Sequence, residues 1–335
     1  MERVLFIRLR LLGDIVLTIP SIQIFKHRFP NTLLSYIVEE PYAELARLIP
    51  GIDQVIVVPR KMGIKEMWNF RKKIQSETYD AVVDFHSGPR SAQLTWLSGI
   101  KCRIGYRTPN RNWAYTHFSP RNNPDSPNHS VYNQARLLEH LGCFVTSDSI
   151  PPYPALSIDH HLVSNKMDIS VLETHGNKAV FHVGAGNNFR DWGLDNFERL
   201  AAQLISRNWN VFLVGNSTDE KMKGDYLCSR LPIHNLTGKL TIPELIYVIS
   251  RCSVFVGADS GPMHLASLTP TPIVALFGPN IPAISGPWRE HDVSIIRHLM
   301  NCQPCTQRRC IYDIIPCMKN ITTDEVYEAI IQYSK

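Results

Sequence analysis

Val254-Phe-Val-Gly257-Ala-Asp259-Ser260-Gly261-Pro262-Met263-His264-Leu-Ala266 carries the reading of the fold. An apolar, β-branched run stops at a glycine. An acid, a hydroxyl, a second glycine and a proline follow, and the proline stands where a helix can begin. This is the pattern of a buried strand turning into a helix. Ser260 is expected to cap that helix, and Gly261 to let another group approach the backbone. Free N–H groups at such a helix start make a place for a phosphate, while Asp259 is better suited to sugar hydroxyls. A plain strand-to-helix turn explains the same residues equally well when they are taken alone.

Working outward, the same alternation recurs along the chain. Strand patterns at Arg3–Arg8, Leu33–Val38, Val55–Val58, Ala81–Asp84 and Arg103–Tyr106 are separated by helical patterns around Ser21–Arg28, Pro41–Leu48, Lys65–Ser76 and Ser91–Leu97. Another helical pattern covers Val131–Leu141. Pro151, Pro152 and Pro154 then punctuate the sequence, and Ser157–Thr174 reads as a polar connecting helix. A second series opens at Ala179–Val183 and runs through Asn210–Val214, Val254–Val256 and Pro272–Phe277, again with helices between. It ends in an amphipathic helix, Thr323–Tyr333, with a threonine cap and Glu325 behind it. Short β-rich runs alternating with helices indicate α/β units on parallel sheets. The expected organisation is a first doubly wound domain over 1–155, a linker over 156–177, a second domain over 178–320 and a terminal helix over 321–335. Ligands of such domains lie at the carboxyl ends of the strands.

A chain of 335 residues with 44% hydrophobic and 19% charged residues can bury two ordinary cores and is not globally disordered. Internal repeats and low-complexity stretches are missing, which excludes solenoids and collagen-like architecture. No apolar run reaches the roughly 18 residues of a membrane span. The first twenty residues carry Glu2, Arg8, Arg10 and Asp14 within their apolar pattern, unlike a signal peptide, so a cytoplasmic protein is expected. The net charge of +5 is unevenly spread: residues 60–121 hold 12 Lys and Arg against four Asp and Glu. Solvated helix faces account for any single lysine. The segment as a whole suits an acidic partner, whether nucleic acid, anionic membrane surface or acidic saccharide.

Two further segments carry chemistry. In Val183-Gly184-Ala185-Gly186-Asn187-Asn188-Phe189-Arg190 a strand runs into a Gly-x-Gly turn, amides and an arginine, a combination able to hold a diphosphate. Phe189 stands where the third glycine of a dinucleotide fingerprint belongs, and no Walker Gly-Lys-Ser/Thr occurs. After the first strand, Gly13-Asp14 directs a carboxylate to the strand's carboxyl end, as a general base or simply as a helix cap. No two aspartates are spaced Asp-x-Asp, so leaving-group charge would fall to amides, helix dipole and Arg190. Of eight cysteines, Cys102, Cys143, Cys228 and Cys252 read as buried structural thiols. Cys302, Cys305, Cys310 and Cys317 form a cluster that fits no zinc-ribbon spacing; packing or opportunistic disulfides rank ahead of a zinc or redox site.

Taken together, Gly13-Asp14 with Thr18 and Pro20, Gly184–Trp192, and Asp259–His264 with Ala275-Leu-Phe-Gly-Pro279 resemble the heptosyltransferases of glycosyltransferase family 9. The cysteine cluster followed by Met318 resembles the branch of that family that adds the second heptose. The resemblance spans nearly the whole chain. It implies a GT-B fold, two Rossmann-like domains facing a cleft, with acceptor on the first and nucleotide-sugar on the second. It also implies inverting, metal-independent transfer of L-glycero-D-manno-heptose from ADP-heptose to the lipopolysaccharide inner core. Asp14 falls on the family's catalytic base, and Arg190 on a position usually held by a diphosphate-binding lysine. Gly184, Ala185, Gly186, Asn187, Asn188, Glu220, Asp259, Ser260, Gly261 and His264 fall on the donor site. Arg60, Lys61, Arg90 and Arg107 are candidates for an anionic acceptor at the inner face of the inner membrane. Neither cofactor nor nucleic acid is implied. Two alternatives stay open: the same fold acting on another nucleotide-sugar, for instance as an epimerase, and a non-catalytic sugar-nucleotide-binding protein.

Overall fold

The computed structural model describes residues 1–335 except 122–127, 154–155, 157–169, 174, 304, 313 and 335. The chain divides into two compact units, Met1–Tyr153 and Pro154–Lys335. The polar connecting helix expected over Ser157–Thr174 lies almost wholly outside the described residues; within it, Ser170–Leu172 forms a short 3-10 turn.

In the first unit, β1 (Arg3–Ile7), β2 (Leu33–Glu39), β3 (Gln54–Val58), β4 (Ala81–Asp84), β5 (Cys102–Tyr106) and β6 (His117–Ser119) form a sheet in the order β3-β2-β1-β4-β5-β6. Every pairing is parallel. The second unit repeats the plan with β7 (Lys178–His182), β8 (Asn210–Val214), β9 (His234–Asn235), β10 (Val254–Ala258), β11 (Ile273–Phe277) and β12 (Val293–Arg297), ordered β12-β11-β10-β7-β8-β9 and again all parallel. Both orders are the doubly wound arrangement. The direction of winding reverses between β1 and β4 in one unit and between β7 and β10 in the other, and a crevice opens at the carboxyl ends of the strands there.

The central strands are apolar throughout because helices cover both their faces. All five residues of β10 and all five of β11 are buried. In the first unit Phe6 packs edge-on against Phe25 and Phe85, each contact worth about 0.5–1.5 kcal/mol beyond the area buried. In the second, Trp192 is buried edge-on to Phe197 and donates its indole N–H to the Ile321 carbonyl at 2.8 Å. The final helix, Thr323–Ile331, begins with the expected reciprocal cap, Thr322 and Glu325 each accepting from the other's backbone. Val326, Tyr327 and Ile330 bury it in the core of the second unit.

Some details differ from the sequence reading. The helical pattern Val131–Leu141 splits into an α-helix, Ser130–Ala135, and a 3-10 helix, Arg136–Leu141, closed by Gly142 in the left-handed region. Ser260 precedes its helix but makes no side-chain cap bond; its hydroxyl lies 3.1 Å from His182 Nδ1 instead. Cys143 and Cys252 are buried as expected, whereas Cys102 and Cys228 are half-buried. All eight cysteines are free thiols, so the cluster holds no disulfide. Among the described residues, no helix is long and apolar enough to cross a membrane.

Candidate active site

The crevice at the β1/β4 crossing of the first unit is a cavity of about 370 Å³, lined among others by Arg8, Asp14, His86, Arg111, Arg121 and Gln134. Asp14 lies in the first turn of the helix Leu12–Val16, just past the end of β1. Its carboxylate accepts from the Leu11 amide at 3.3 Å and pairs with Arg8 Nη2 at 2.6 Å. Asp14 therefore supports the helix start and also borders the cavity. Arg8 is 6% exposed, and its Nη1 donates to the Phe85 carbonyl, so the guanidinium is fixed between the ends of β1 and β4. Burial and the Arg8 charge hold the His86 imidazole below its usual pKa. Three buried nitrogens of the lining, Arg8 Nε, His86 Nδ1 and Arg111 Nε, have no hydrogen-bond partner among the described residues. The two arginine Nε–H groups are donors and call for an acceptor that the protein does not supply.

The expected acceptor-binding cations stand elsewhere in the first unit. Arg60 and Lys61 are exposed beyond β3. Arg90 pairs with Glu39 at 2.5 Å and donates to the Pro59 carbonyl, and Arg107 stacks over Phe118. The cavity takes its positive charge from Arg8, Arg111 and Arg121. No local pattern marks these three, because they meet only when β1, β4 and β5 are adjacent.

In the second unit the sequence-predicted donor residues converge on the β7/β10 crossing. Gly184–Arg190 leaves the end of β7, and Asp259–His264 leaves the end of β10. Gly186 has φ +61°, a left-handed turn that glycine enters without strain, and the Phe189 and Arg190 amides beyond it are bonded to Asn187. Arg190 Nη1 reaches the Asp259 carbonyl at 3.1 Å and the Asp259 carboxylate at 3.5 Å. The Asp259 carboxylate also accepts from Asn280. His264 Nε2 lies 3.9 Å from Asp259. Pro262 opens the helix Gly261–Ala266, and Gly261 is its first residue.

Glu220 sits behind the turn. Its Oε2 accepts from the Asn216 and Ser217 amides at 2.6 and 2.7 Å, and His182 Nε2 lies 3.0 Å from Oε1. Burial opposes ionisation, but bonding and charge attraction from His182 and the two amides outweigh it and bring the carboxyl down to about 2. A side chain at Gly184 would land on this carboxylate, which accounts for glycine there. The line Ser260–His182–Glu220 thus ties the ends of β7 and β10 to the start of the helix Thr218–Arg230. Because Glu220 titrates near 2 when folded and near 4.5 in a free chain, its stabilisation is complete above about pH 4.5 and vanishes as pH falls toward 2. Glu220→Gln is therefore expected to cost about 3 kcal/mol at pH 7. In thermal melts the gap to wild type should narrow between pH 4.5 and pH 2. A constant gap across that range would show that charge is not the source.

Sequence reasoning missed Gln307 and Asn280, which join this cluster from 120 and 93 residues beyond Asn187. Gln307 bonds Asn187 and Arg190, and Asn280 bonds Gln307 and Asp259. Among the described residues, no group of three or more His, Cys, Asp or Glu is arranged to hold a metal ion.

Comparison with known proteins agrees with this fold. The family model described as glycosyltransferase family 9 (heptosyltransferase) matches residues 67–315. Lipopolysaccharide heptosyltransferase 1 of Pseudomonas aeruginosa is 24% identical over 321 residues, covering 92% of this chain and 88% of that protein. The structure of the E. coli ADP-heptose lipopolysaccharide heptosyltransferase II superposes with a TM-score of 0.81 at 21% identity, covering 99% of this chain and 98% of that one. E. coli heptosyltransferase WaaC, solved with ADP, superposes with a TM-score of 0.78 at 20% identity, covering 99% and 100%. With three quarters of its length matched by the family model, the chain belongs to glycosyltransferase family 9, the heptosyltransferases.

Proposed function

We propose that this glycosyltransferase moves L-glycero-D-manno-heptose from ADP-heptose to a sugar of the lipopolysaccharide inner core, inverting the anomeric carbon and using no metal ion. The observation that carries the reading is the complementarity of the two strand crossings. One presents a Gly-x-Gly turn beside Arg190, suited to a diphosphate; the other presents the Asp14 carboxylate in a cavity bordered by orphaned arginine nitrogens. Family membership and the ADP bound to the similar E. coli enzyme support the choice of donor.

In this reading Asp14 takes the proton of the acceptor hydroxyl as that oxygen attacks the anomeric carbon. The bond from that carbon to the β-phosphate oxygen breaks on the opposite face, and ADP leaves with the electron pair. Arg190 and the amides of residues 184–188 take up the charge that develops on the diphosphate. Phosphate or carboxylate groups of the acceptor satisfy Arg8 Nε, Arg111 Nε and His86 Nδ1. The helix Ile64–Ser76 exposes Ile64 (89%) and Trp68 (55%) among Lys65, Arg71 and Lys72. An amphipathic basic face of this composition suits an anionic membrane surface, where a lipid-anchored acceptor lies.

The test is ADP release and product mass with ADP-heptose and heptose-deficient inner-core acceptors carrying none or one heptose, in anionic vesicles and excess chelator. Heptose transfer is expected, and Ile64→Glu with Trp68→Glu should slow it severalfold on vesicles but not on a detergent-dispersed acceptor. Loss of activity on chelation with recovery in manganese, or transfer from UDP-sugars only, would overturn the reading.

A further inference from the structure

The segment between β12 and the helix Pro316–Lys319 carries Cys302, Cys305 and Cys310, and the helix itself carries Cys317, a cluster to which the transfer reading gives no task. What this segment delivers to the donor crossing is one amide side chain. Gln307 has φ +56°, a left-handed conformation that a non-glycine residue keeps when its surroundings hold it there. Its side-chain carbonyl accepts from Arg190 Nε at 2.8 Å and from Asn187 Nδ2 at 3.1 Å. Its NH₂ group donates to Asn280 Oδ1 at 2.6 Å. Asn280 donates in turn to the Asp259 carboxylate, and the Asp259 carbonyl accepts from Arg190 Nη1 at 3.1 Å. The bonds close a ring of Arg190, Gln307, Asn280 and Asp259. They also settle the orientation of the amide, since the flipped form would set its NH₂ against two donors.

A planar guanidinium has several donors, and two fixed ones define its plane. Nε is held by Gln307 and Nη1 by Asp259, so Nη2 is aimed by the ring. The Gln307 mount is itself anchored: the Cys305 amide donates to the Pro279 carbonyl at 3.3 Å, the Gln307 amide to Cys305 Sγ at 3.4 Å, and Cys317 is buried beside Gly278. We propose that Gln307 is a positioning residue of the donor site, holding the Arg190 guanidinium in the plane in which it meets the donor diphosphate, with the cysteine-bearing segment as its mount. This rests on the reading that Arg190 contacts the diphosphate.

The test is a double-mutant cycle on Gln307→Ala and Arg190→Lys, read as ADP and AMP affinity by calorimetry and as donor KM against kcat. Gln307→Ala alone is expected to weaken ADP and raise donor KM about fivefold to tenfold, the scale of one ordinary net hydrogen bond. AMP affinity should be unchanged. In the Arg190→Lys background the same change should move ADP affinity less than about twofold, because lysine has no Nε to orient. Gln307→Met, which keeps the volume, replaces the alanine variant should that one fail to fold. Equal losses in both backgrounds would mean a merely structural role, and unchanged ADP affinity in the single variant would mean no role; either overturns the proposal. If Arg190→Lys and Arg190→Ala both leave ADP affinity intact, the parent reading fails instead.

Discussion

Asp14→Asn is expected to lower kcat for heptosyl transfer about a thousandfold while ADP binds as tightly as to the wild type. The size follows from the role: a positioned base contributes roughly 10²–10⁴ in rate. Asparagine keeps the shape of the side chain and one carbonyl oxygen. It can still accept from the Leu11 amide or from Arg8, the two partners that hold Asp14 in place. Folding should therefore survive, and only the capacity to take a proton is removed. The donor residues belong to the second unit, so ADP affinity by calorimetry serves as the internal control. Turnover within about threefold of wild type would remove Asp14 from the chemistry. An equal loss of ADP affinity would point to a general structural defect.

The second large effect concerns the leaving group. Arg190→Ala is expected to reduce kcat/KM for the donor by about 10²–10³, as when one preorganised donor is withdrawn from a developing charge. It should also weaken ADP at least tenfold and AMP hardly at all, because AMP lacks the β-phosphate. Arg190 is partly exposed yet held through Nε and Nη1, so alanine removes a donor whose direction is already set. Two consequences separate this from collapse of the loop. The Asn187 turn, closed by its own bond to the Phe189 amide, does not use the guanidinium, and the melting temperature should move little. Equal weakening of ADP and AMP would place Arg190 on the nucleoside side, contrary to the account.

How far these residues were readable from the chain depends on how local their signals are. Strands such as β10 and β11, buried on both faces, announce themselves as apolar runs ending in Gly-Ala-Asp or Gly-Pro. The turns after β7 and β10 were legible for the same reason: glycines, an acid and an arginine stand within a few residues of each strand end. Of the four edge strands, only β3 was. β6 has three residues and β9 two, while β12 is only half-buried, so none produces a hydrophobic period. The cavity at Asp14 was half legible. Gly13-Asp14 stands out, whereas Arg8, His86, Arg111 and Arg121 gather from across the first unit and share no spacing. Gln307 is the extreme case. It lies inside a cysteine pattern that draws attention to sulfur chemistry, and only the fold reveals that its amide meets Arg190. Ser260 shows a subtler limit: its helix-start position was right, but His182 at the neighbouring strand end takes its hydroxyl.

The most direct measurement is a crystal structure of the protein with ADP, grown in the presence of chelator. The account predicts the nucleotide at the carboxyl ends of β7 and β10, with its diphosphate within hydrogen-bond reach of Arg190 and of amides in residues 184–188. A nucleotide bound elsewhere, or a diphosphate out of reach of Arg190, would contradict it.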